Sequence, residues 1–311
     1  MGVKTLYSNH EKFKYDHIYF LLINYFKFKE EMYGNHIKDV INILMESEKK
    51  GETIIDLTSE SLLVTPIEAG WPLEHINALE KSLLINNKDA PFLIKNKKLS
   101  FIKWSKKIDN ILEKLFAKSI NQIKKNKRIK FVSENKIDEL RNLFEISDVA
   151  FLQGGPGTGK TTLIIKLILN FLKSDNTLNI GLSAPTGKAS ARLKESLEQQ
   201  INSSQDIKLE KIECQTLHRW IYNSQKSNSD LKYKLKELDF FIIDEMSMVS
   251  INLIELILEL LANDCKLLLV GDANQLPPIN SCSIFNYIFK NIKHNKFQHN
   301  IVNLKRIYRN S

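Results

Sequence analysis

The sequence predicts an α/β protein in which a parallel-sheet lobe follows a smaller, mostly helical N-terminal domain. After residue 145, strand-like apolar segments alternate with helical segments, which is typical of a parallel sheet with helices on both faces. Before residue 120 the apolar spacing is helical, as in DVINILMES and INALEKSLLI. We therefore expect an N-terminal domain at residues 1–118, a linker and helix at 119–148, and the lobe at 149–311.

Composition limits the possible classes of protein. The chain has 311 residues, of which 43% are hydrophobic, so it can form a substantial core. Its net charge of +9 favours an anionic partner but does not identify one. The three cysteines, Cys214, Cys265 and Cys282, fit neither a disulfide framework nor a zinc site. We therefore expect a reducing cytoplasmic location. No signal-peptide core or bilayer-spanning run is visible, so we expect no membrane contact.

Two segments before the lobe carry local signals. PFLIKNKKLSFIKW predicts a β-hairpin whose polar turn is Asn96 to Lys98. IKKNKRIK, residues 123–130, is either a solvated linker, the more common role of such a run, or a contact for nucleic acid or a partner.

The elements of the lobe follow one another in a regular order. Buried strands are predicted at VAFLQ, NIGLSA, DFFIID and KLLLVGD, and helices at TTLIIKLILNFLK, KASARLKESLEQQI and SINLIELILELLA. Ligands of such sheets bind at the carboxyl ends of the strands. The functional site is therefore predicted at that edge, where a core strand ends in VGDANQLPPI with Asp272 and Gln275.

The first strand of the lobe leads into GGPGTGKT, residues 154–161, which has the spacing of a phosphate-binding loop. Gly155, Gly157 and Gly159 would let backbone N–H groups face phosphate oxygens, and the following helix adds its positive end. Lys160 is predicted to reach the β- and γ-phosphates, and Thr161 to ligate Mg²⁺. The predicted cofactors are ATP and Mg²⁺, and the predicted nucleotide-binding residues are Gly154, Gly155, Pro156, Gly157, Thr158, Gly159, Lys160, Thr161 and Thr162.

Two further stretches supply candidate catalytic groups. DFFIIDE ends in carboxylates, and we expect Asp244 to hold Mg²⁺ and Glu245 to orient and deprotonate the attacking water. The alternative is that both cap a following helix. Gln275 has an amide that can bond both a phosphate and water, so it is predicted to sense the γ-phosphate, with Pro277 and Pro278 stiffening the chain behind it. The alternative for Gln275 is an ordinary turn residue.

Several motifs together resemble those of superfamily 1 DNA helicases. In order they are GGPGTGKTT, SAPTGKASARLKESL, TLHRWI, IIDEMSMV, VGDANQLPPI and a terminal YR. APTGKASARL and TLHRW are the most specific, and they resemble the RecD family, the alpha subunits of RecBCD (exodeoxyribonuclease V). The strong resemblance covers about residues 149–311. It implies a RecA-like lobe of an ATP-dependent 5′-to-3′ helicase, with RecB-like and RecC-like partners, acting on DNA ends in double-strand break repair and recombination.

The resemblance also implies roles for individual residues. Thr186, Lys188 and Arg192 would contact phosphates of single-stranded DNA, and Thr216 and His218 match a second DNA-contacting segment. Arg309 matches a family arginine that approaches the γ-phosphate. Residues 1–118 look like the family's N-terminal domain, which implies a partner-docking role without catalysis. A solvated helical appendage is the alternative for that domain.

Two departures from the family pattern leave alternatives open. Many relatives carry an adenine-binding glutamine before the first strand, whereas no glutamine lies between residues 132 and 152, so adenine selectivity is open. Full relatives continue into a second RecA-like lobe, whereas this sequence ends soon after Arg309. We therefore expect the 311-residue chain to bind ATP, to hydrolyse it very slowly and not to unwind duplex DNA. The competing interpretations are an active helicase subunit, a non-motor ATP-binding subunit and an unrelated P-loop ATPase.

Overall fold

The structure is a computed structural model that describes residues 15–58, 68–120, 135–201, 211–226, 234–278, 281–291 and 296–305. The chain divides into two compact units, Met1–Lys106 and Lys107–Ser311. The basic run at residues 123–130 and Arg309 lie outside the described residues. Within the described ranges, no helix is long and apolar enough to cross a membrane.

The first unit combines helices with a small antiparallel sheet of order β1-β3-β2. Its elements are α1 (Asp16–Phe26), α2 (Glu30–Lys49), β1 (Ile54–Asp56), α3 (Leu73–Lys81), β2 (Phe92–Lys95) and β3 (Lys98–Phe101). The helical patterns predicted for this region lie in α2 and α3, which pack their apolar faces into one core. Helix α3 ends earlier than INALEKSLLI suggests, because Leu83 adopts a left-handed backbone with φ of 58°.

Strands β2 and β3 form the predicted hairpin with a turn one residue shorter than expected. Asn96 and Lys97 have φ values of 52° and 59°, the left-handed pair that favours two-residue hairpin turns. Lys98 belongs to β3 instead, where it pairs with Lys95.

The boundary between the two units falls within α4 (Ile102–Ile120), and not after residue 118 as the sequence suggests. The later part of α4 belongs to the second unit through its side-chain contacts. Lys107 Nζ lies 2.6 Å from Glu255 Oε2. Lys118 Nζ donates to the carbonyl oxygens of Ala262 and Asn263, at 3.0 and 2.7 Å. An amphipathic helix gives no local signal of such a boundary, because its apolar spacing does not show which core it joins.

The second unit is built on a parallel sheet of order β6-β5-β7-β8-β4-β9. Its elements after α4 are α5 (Lys136–Ile146), β4 (Val149–Gly154), α6 (Lys160–Ser174), β5 (Ile180–Ala184), α7 (Gly187–Ile201), β6 (Ile212–Thr216), α8 (Leu217–Gln225), β7 (Phe240–Ile243), α9 (Ile251–Leu260), β8 (Lys266–Gly271), α10 (Ile284–Lys290) and β9 (Ile301–Leu304). The predicted strands β4, β5, β7 and β8 and the predicted helices α6, α7 and α9 are confirmed. The edge strands β6 and β9 were not predicted.

Helices cover both faces of this sheet, as the sequence predicts. Leu152 of β4 packs on one face in a core shared with α5, α6 and α7. Phe151 points to the opposite face, where its ring centroid lies 6.4 Å from that of Phe285 in α10. Phe241 of β7 points to the same face as Phe151, and its ring centroid lies 5.5 Å from that of Trp220 in α8. Since the strands are buried on both faces, their sequences are almost continuously apolar.

The parallel arrangement brings several loops to one edge of the sheet. Strand β8 lies between β4 and β7 and pairs with both. The carboxyl ends of β4, β8 and β7 are therefore neighbours. The polar residues that follow these three buried strands consequently lie close together.

Candidate functional site

The glycine-rich loop after β4 depends on its glycines at particular positions. Gly157 and Gly159 have φ values of 76° and 81°, the left-handed region that glycine adopts without strain. At Gly154 the constraint is space, because a Cβ atom there would lie 2.5 Å from Thr158 Oγ1. At Gly155 neither constraint applies, since its φ is not positive and a Cβ atom would meet only Asp272 Oδ2, at 3.9 Å. That the Gly155 N–H faces a phosphate oxygen stays a prediction.

Lys160, the first residue of α6, is held against the loop that precedes it. Its Nζ donates to the carbonyl oxygens of Gly154 and Gly155, at 2.7 and 3.1 Å. Thr158 Oγ1 also donates to Gly155 O, at 2.8 Å. The ammonium group therefore sits inside the loop on neutral acceptors. A phosphate in the loop would offer charged oxygens, which make stronger hydrogen bonds with an ammonium group.

Asp244 follows β7 directly and its side chain is buried. Burial raises the pKa of this carboxyl to about 6, and the nearby negative charge of Glu245 adds to the rise. The hydrogen bond from Glu245 N to Asp244 Oδ1, at 2.8 Å, and the charge of Lys160 act in the opposite direction. A cation beside Asp244 would favour the ionised form of this carboxyl.

The donor set at this strand end fits Mg²⁺. In the part of the chain that is described, no group of three or more His, Cys, Asp or Glu could hold a metal ion. Mg²⁺ in nucleotide sites is commonly held by one or two protein oxygens together with phosphates and water. The hydroxyl of Thr161 and the carboxylate of Asp244 line one cavity and supply such oxygens. Glu245 also lines it, with a left-handed backbone (φ 54°) that is unusual for a residue with a side chain.

Gln275 is held on three sides in the loop after β8. Its backbone N–H donates to Asp272 O at 3.0 Å, and its carbonyl accepts from Asn286 Nδ2 at 3.0 Å. Its side-chain Oε1 accepts from Ser247 Oγ at 3.2 Å. These bonds leave the N–H donors of the Gln275 amide for groups in the cavity, which Gln275 also lines.

Gln153, the penultimate residue of β4, joins this loop to the phosphate-binding strand. Its Nε2 donates to Asp272 Oδ1 at 3.3 Å, and its Oε1 accepts from Ala273 N at 2.9 Å. Asp272 also accepts from Asn274 N at 3.0 Å. Asp272, the residue directly after β8, therefore fixes the backbone of the loop that follows the strand. Sequence reasoning missed Gln153, although a polar residue at the end of the apolar run VAFLQ was a usable signal.

One cavity of about 810 Å³ brings these groups together. The side chains and backbone that line it are Pro156, Gly157, Thr158, Gly159, Lys160, Thr161, Thr162, Ile165, Ala189, Arg192, Leu193, Glu195, Ser196, Gln199, Gln200, Asp244, Glu245 and Gln275. The predicted catalytic residues Lys160, Asp244, Glu245 and Gln275 are thus collected in one place, and Arg309 lies outside the described residues. Gly154 and Gly155 lie behind Lys160 and do not line the cavity. The wall formed by α7 was not predicted.

The predicted DNA-contacting residues lie after β5 and β6, which are neighbouring parallel strands. Thr186 Oγ1 accepts from Ala189 N at 3.2 Å, and Thr216 Oγ1 accepts from Arg219 N at 3.4 Å, so both threonines cap helices. Lys188 and His218 are exposed. Arg192 is also exposed, but it lines the cavity that contains Lys160.

A buried parallel sheet with a phosphate-binding loop on one strand, and an acidic pair two strands away, defines a P-loop nucleotide-binding lobe of the RecA type. The AAA_19 family model, described as an AAA domain, matches residues 143–281. The chain is 35% identical over 236 residues to the RecBCD enzyme subunit RecD of Buchnera aphidicola subsp. Acyrthosiphon pisum, a match to 70% of this chain and 38% of that protein.

Two other similarities extend the comparison. The chain is 33% identical over 130 residues to the ATP-dependent RecD2 DNA helicase of Deinococcus radiodurans, covering 42% of this chain and 16% of that protein. A solved Pif1 helicase from Bacteroides shares 21% identity over 58% of this chain and 44% of its own, with a TM-score of 0.34. The chain thus spans well under two thirds of the RecD proteins it matches. These similarities support a RecD-like chain of the superfamily 1 helicase type.

Proposed function

We propose that this chain is an ATP-dependent 5′-to-3′ DNA helicase subunit of a RecBCD-type complex that acts on double-strand breaks in repair and recombination. The observation that carries the proposal is the single cavity that joins the phosphate-binding loop to Asp244, Glu245 and Gln275 in a RecD-like chain. Similarity to a RecBCD enzyme subunit RecD supports the complex, and similarity to an ATP-dependent RecD2 DNA helicase supports the activity. We also propose a cytoplasmic location, where the three free cysteines would stay reduced.

ATP hydrolysis is assigned to the groups that line the cavity. Lys160 and the loop amides would bind the β- and γ-phosphates, while Thr161 and Asp244 would hold Mg²⁺. The ion, when bound, neutralises charge on the phosphates. Glu245 would orient the attacking water and accept its proton. Gln275 would donate its amide N–H to the γ-phosphate or to that water, so that its position depends on the presence of the phosphate.

Single-stranded DNA is assigned to the loops after β5 and β6. Lys188 would bind a phosphate by charge, and the exposed His218 would contribute from the neighbouring helix. The hydroxyls of Thr186 and Thr216 accept hydrogen bonds from their helices but keep their own proton to donate to a phosphate. Because these loops share an edge of the sheet with the cavity, a change at the γ-phosphate could reach the DNA through short connections.

Docking on RecB-like and RecC-like partners is assigned to the N-terminal unit. Helix α1 exposes large apolar side chains, with Phe20, Leu21 and Tyr25 at 54%, 67% and 68% exposure. Exposed apolar groups of this size are typical of protein contact surfaces. Replacing Leu21 and Tyr25 by serine in the full chain should abolish co-purification with the RecC-like subunit. Leu83→Ser, which changes another exposed apolar residue of the same unit, should not.

The experiment that tests the helicase assignment is strand displacement. Duplexes with a 5′ or a 3′ single-stranded tail are incubated with the protein, its partner subunits, Mg²⁺ and ATP, and turnover is measured in parallel. The proposal expects ATP-dependent displacement that requires the 5′ tail and is lost in Lys160→Ala. ATP turnover without displacement on either substrate would favour the non-motor ATP-binding subunit instead.

A further inference from the structure

Arg192 lies on the α7 wall of the nucleotide cavity. The same cavity is lined by Lys160 and Thr161 on α6 and by Glu245 after β7. The Arg192 side chain is exposed, and within the described residues it forms no ion pair. Its guanidinium group therefore has five N–H donors to offer to a ligand in this cavity.

The charge of the cavity shows what such a ligand requires. Among the described residues, the charged side chains that line it are two cations, Lys160 and Arg192, and three carboxylates, Glu195, Asp244 and Glu245. A nucleoside triphosphate brings several further negative charges to this space. Without Arg192, Lys160 would be the only cationic side chain in the described part of the lining. Arginine is well suited to neutralise part of this phosphate charge, because its planar guanidinium group can donate two parallel hydrogen bonds to phosphate oxygens.

We propose that Arg192 is a nucleotide-binding residue that contacts the terminal phosphate. The proposal rests on the ATP-binding function proposed above and adds a residue to that site. The terminal phosphate is favoured over the others because Arg192 shares the cavity with Asp244, Glu245 and Gln275, the groups assigned to metal, water and γ-phosphate. In this proposal, α7 contributes Arg192 to the nucleotide site, while Lys188 near its beginning contributes to the proposed DNA contact.

Lys188 provides the contrast within the same helix. It lies four positions before Arg192 and is also exposed, yet it does not line the cavity. Although the helicase motif implies a DNA contact for both residues, the structure separates them. The assignment of Arg192 to the nucleotide therefore makes a prediction that a DNA contact does not make, namely an effect on nucleotide affinity when no DNA is present.

The test is calorimetric titration of the full chain without DNA, using ADP and the non-hydrolysable analogue adenosine 5′-(β,γ-imido)triphosphate, each with Mg²⁺. Arg192→Ala should weaken binding of the triphosphate about tenfold or more, the usual effect of losing a charged hydrogen bond. Its affinity for ADP should change by less than about threefold. Arg192→Lys should give an intermediate loss. Lys194→Ala should leave both affinities unchanged, because Lys194 lies on the same helix, pairs with Glu198 and does not line the cavity.

Two outcomes would overturn the proposal. Unchanged triphosphate affinity in Arg192→Ala would remove it, and a simultaneous loss of single-stranded DNA binding would assign the residue to DNA. An equal loss for ADP and the triphosphate would place Arg192 away from the terminal phosphate. Lys160→Ala tests the nucleotide site itself in the same titration. If that variant binds as well as wild type, the proposed function fails, whatever the result at Arg192.

Discussion

The Ser247 hydroxyl donates a hydrogen bond to the Gln275 side-chain oxygen across 3.2 Å. Ser247 is fully buried in the short 3₁₀ turn Met246–Met248, directly after the acidic pair. The backbone of Gln275 is held independently by Asp272 and Asn286. The Gln275 amide is therefore oriented by the turn that directly follows Glu245. We infer that Glu245 and Gln275 act together on one water and one phosphate.

Loss of this hydrogen bond should slow catalysis more than it weakens binding. In Ser247→Ala, kcat for ATP should fall about 2- to 10-fold, the usual net worth of one hydrogen bond, while KM changes little. The decisive measurement is a double-mutant cycle with Gln275→Ala. Because Ser247 acts through Gln275, the double variant should be no slower than Gln275→Ala alone. Additive losses would contradict this role for Ser247.

Asp244 should make the protein less stable at neutral pH when no metal is bound. The pKa of this carboxyl is raised to about 6 from an ordinary value of 3.8, so between these values the folded protein holds a proton that the unfolded chain has lost. Its contribution to stability therefore decreases as the pH rises toward 6 and stays lost above it. Asp244→Asn avoids this cost, so it should be more stable than wild type at pH 7.5 by on the order of 1–3 kcal/mol.

Urea unfolding without Mg²⁺ at pH 7.5, 6 and 5 measures this effect. The advantage of Asp244→Asn should shrink as the pH falls through 6, whereas the exposed control Asp264→Asn should show no such trend. Mg²⁺ with nucleotide should stabilise wild type and not Asp244→Asn. A stability difference that does not depend on pH would argue against a buried, titrating Asp244.

Much of the second unit could be predicted because its signals are local. Strands β4, β7 and β8 are buried on both faces, so each is an apolar run that stands out between polar loops. The edge strands β6 and β9 do not stand out. IECQT is half-exposed throughout and carries polar residues, and IVNL is only 4 residues long. Both form strands because a neighbouring strand offers them a pairing edge, which no local pattern shows.

The same distinction holds within the site. The phosphate-binding loop and the acidic pair are contiguous motifs whose spacing shows their chemistry. Gln153 and Asp272 are 119 residues apart, and Ser247 and Gln275 are 28 apart, so their hydrogen bonds exist only once the sheet is formed. The position of Arg192 at the cavity likewise depends on tertiary structure, since the sequence motif does not show which side of α7 faces the cavity.

DNA binding should depend on Lys188 in a salt-sensitive way. Loss of one phosphate contact should weaken binding of single-stranded DNA for every sequence tested, and reduce the slope of log affinity against log salt by about one. Lys194→Ala is the matched control on α7, because Lys194 pairs with Glu198 and lies outside the nucleotide cavity. Equal salt slopes for Lys188→Ala and wild type would show that Lys188 does not contact the DNA backbone.

Every function proposed for this chain requires that the loop at residues 154–161 binds the phosphates of ATP. The most direct measurement is calorimetric titration of Mg²⁺-ATP into wild type, Lys160→Ala and Lys166→Ala. Lys166 is an exposed lysine of the same helix that does not line the cavity. We predict saturable binding by wild type and Lys166→Ala and a loss of about tenfold or more in Lys160→Ala, because its ammonium neutralises charge at the β- and γ-phosphates. Equal affinity of wild type and Lys160→Ala would contradict the account.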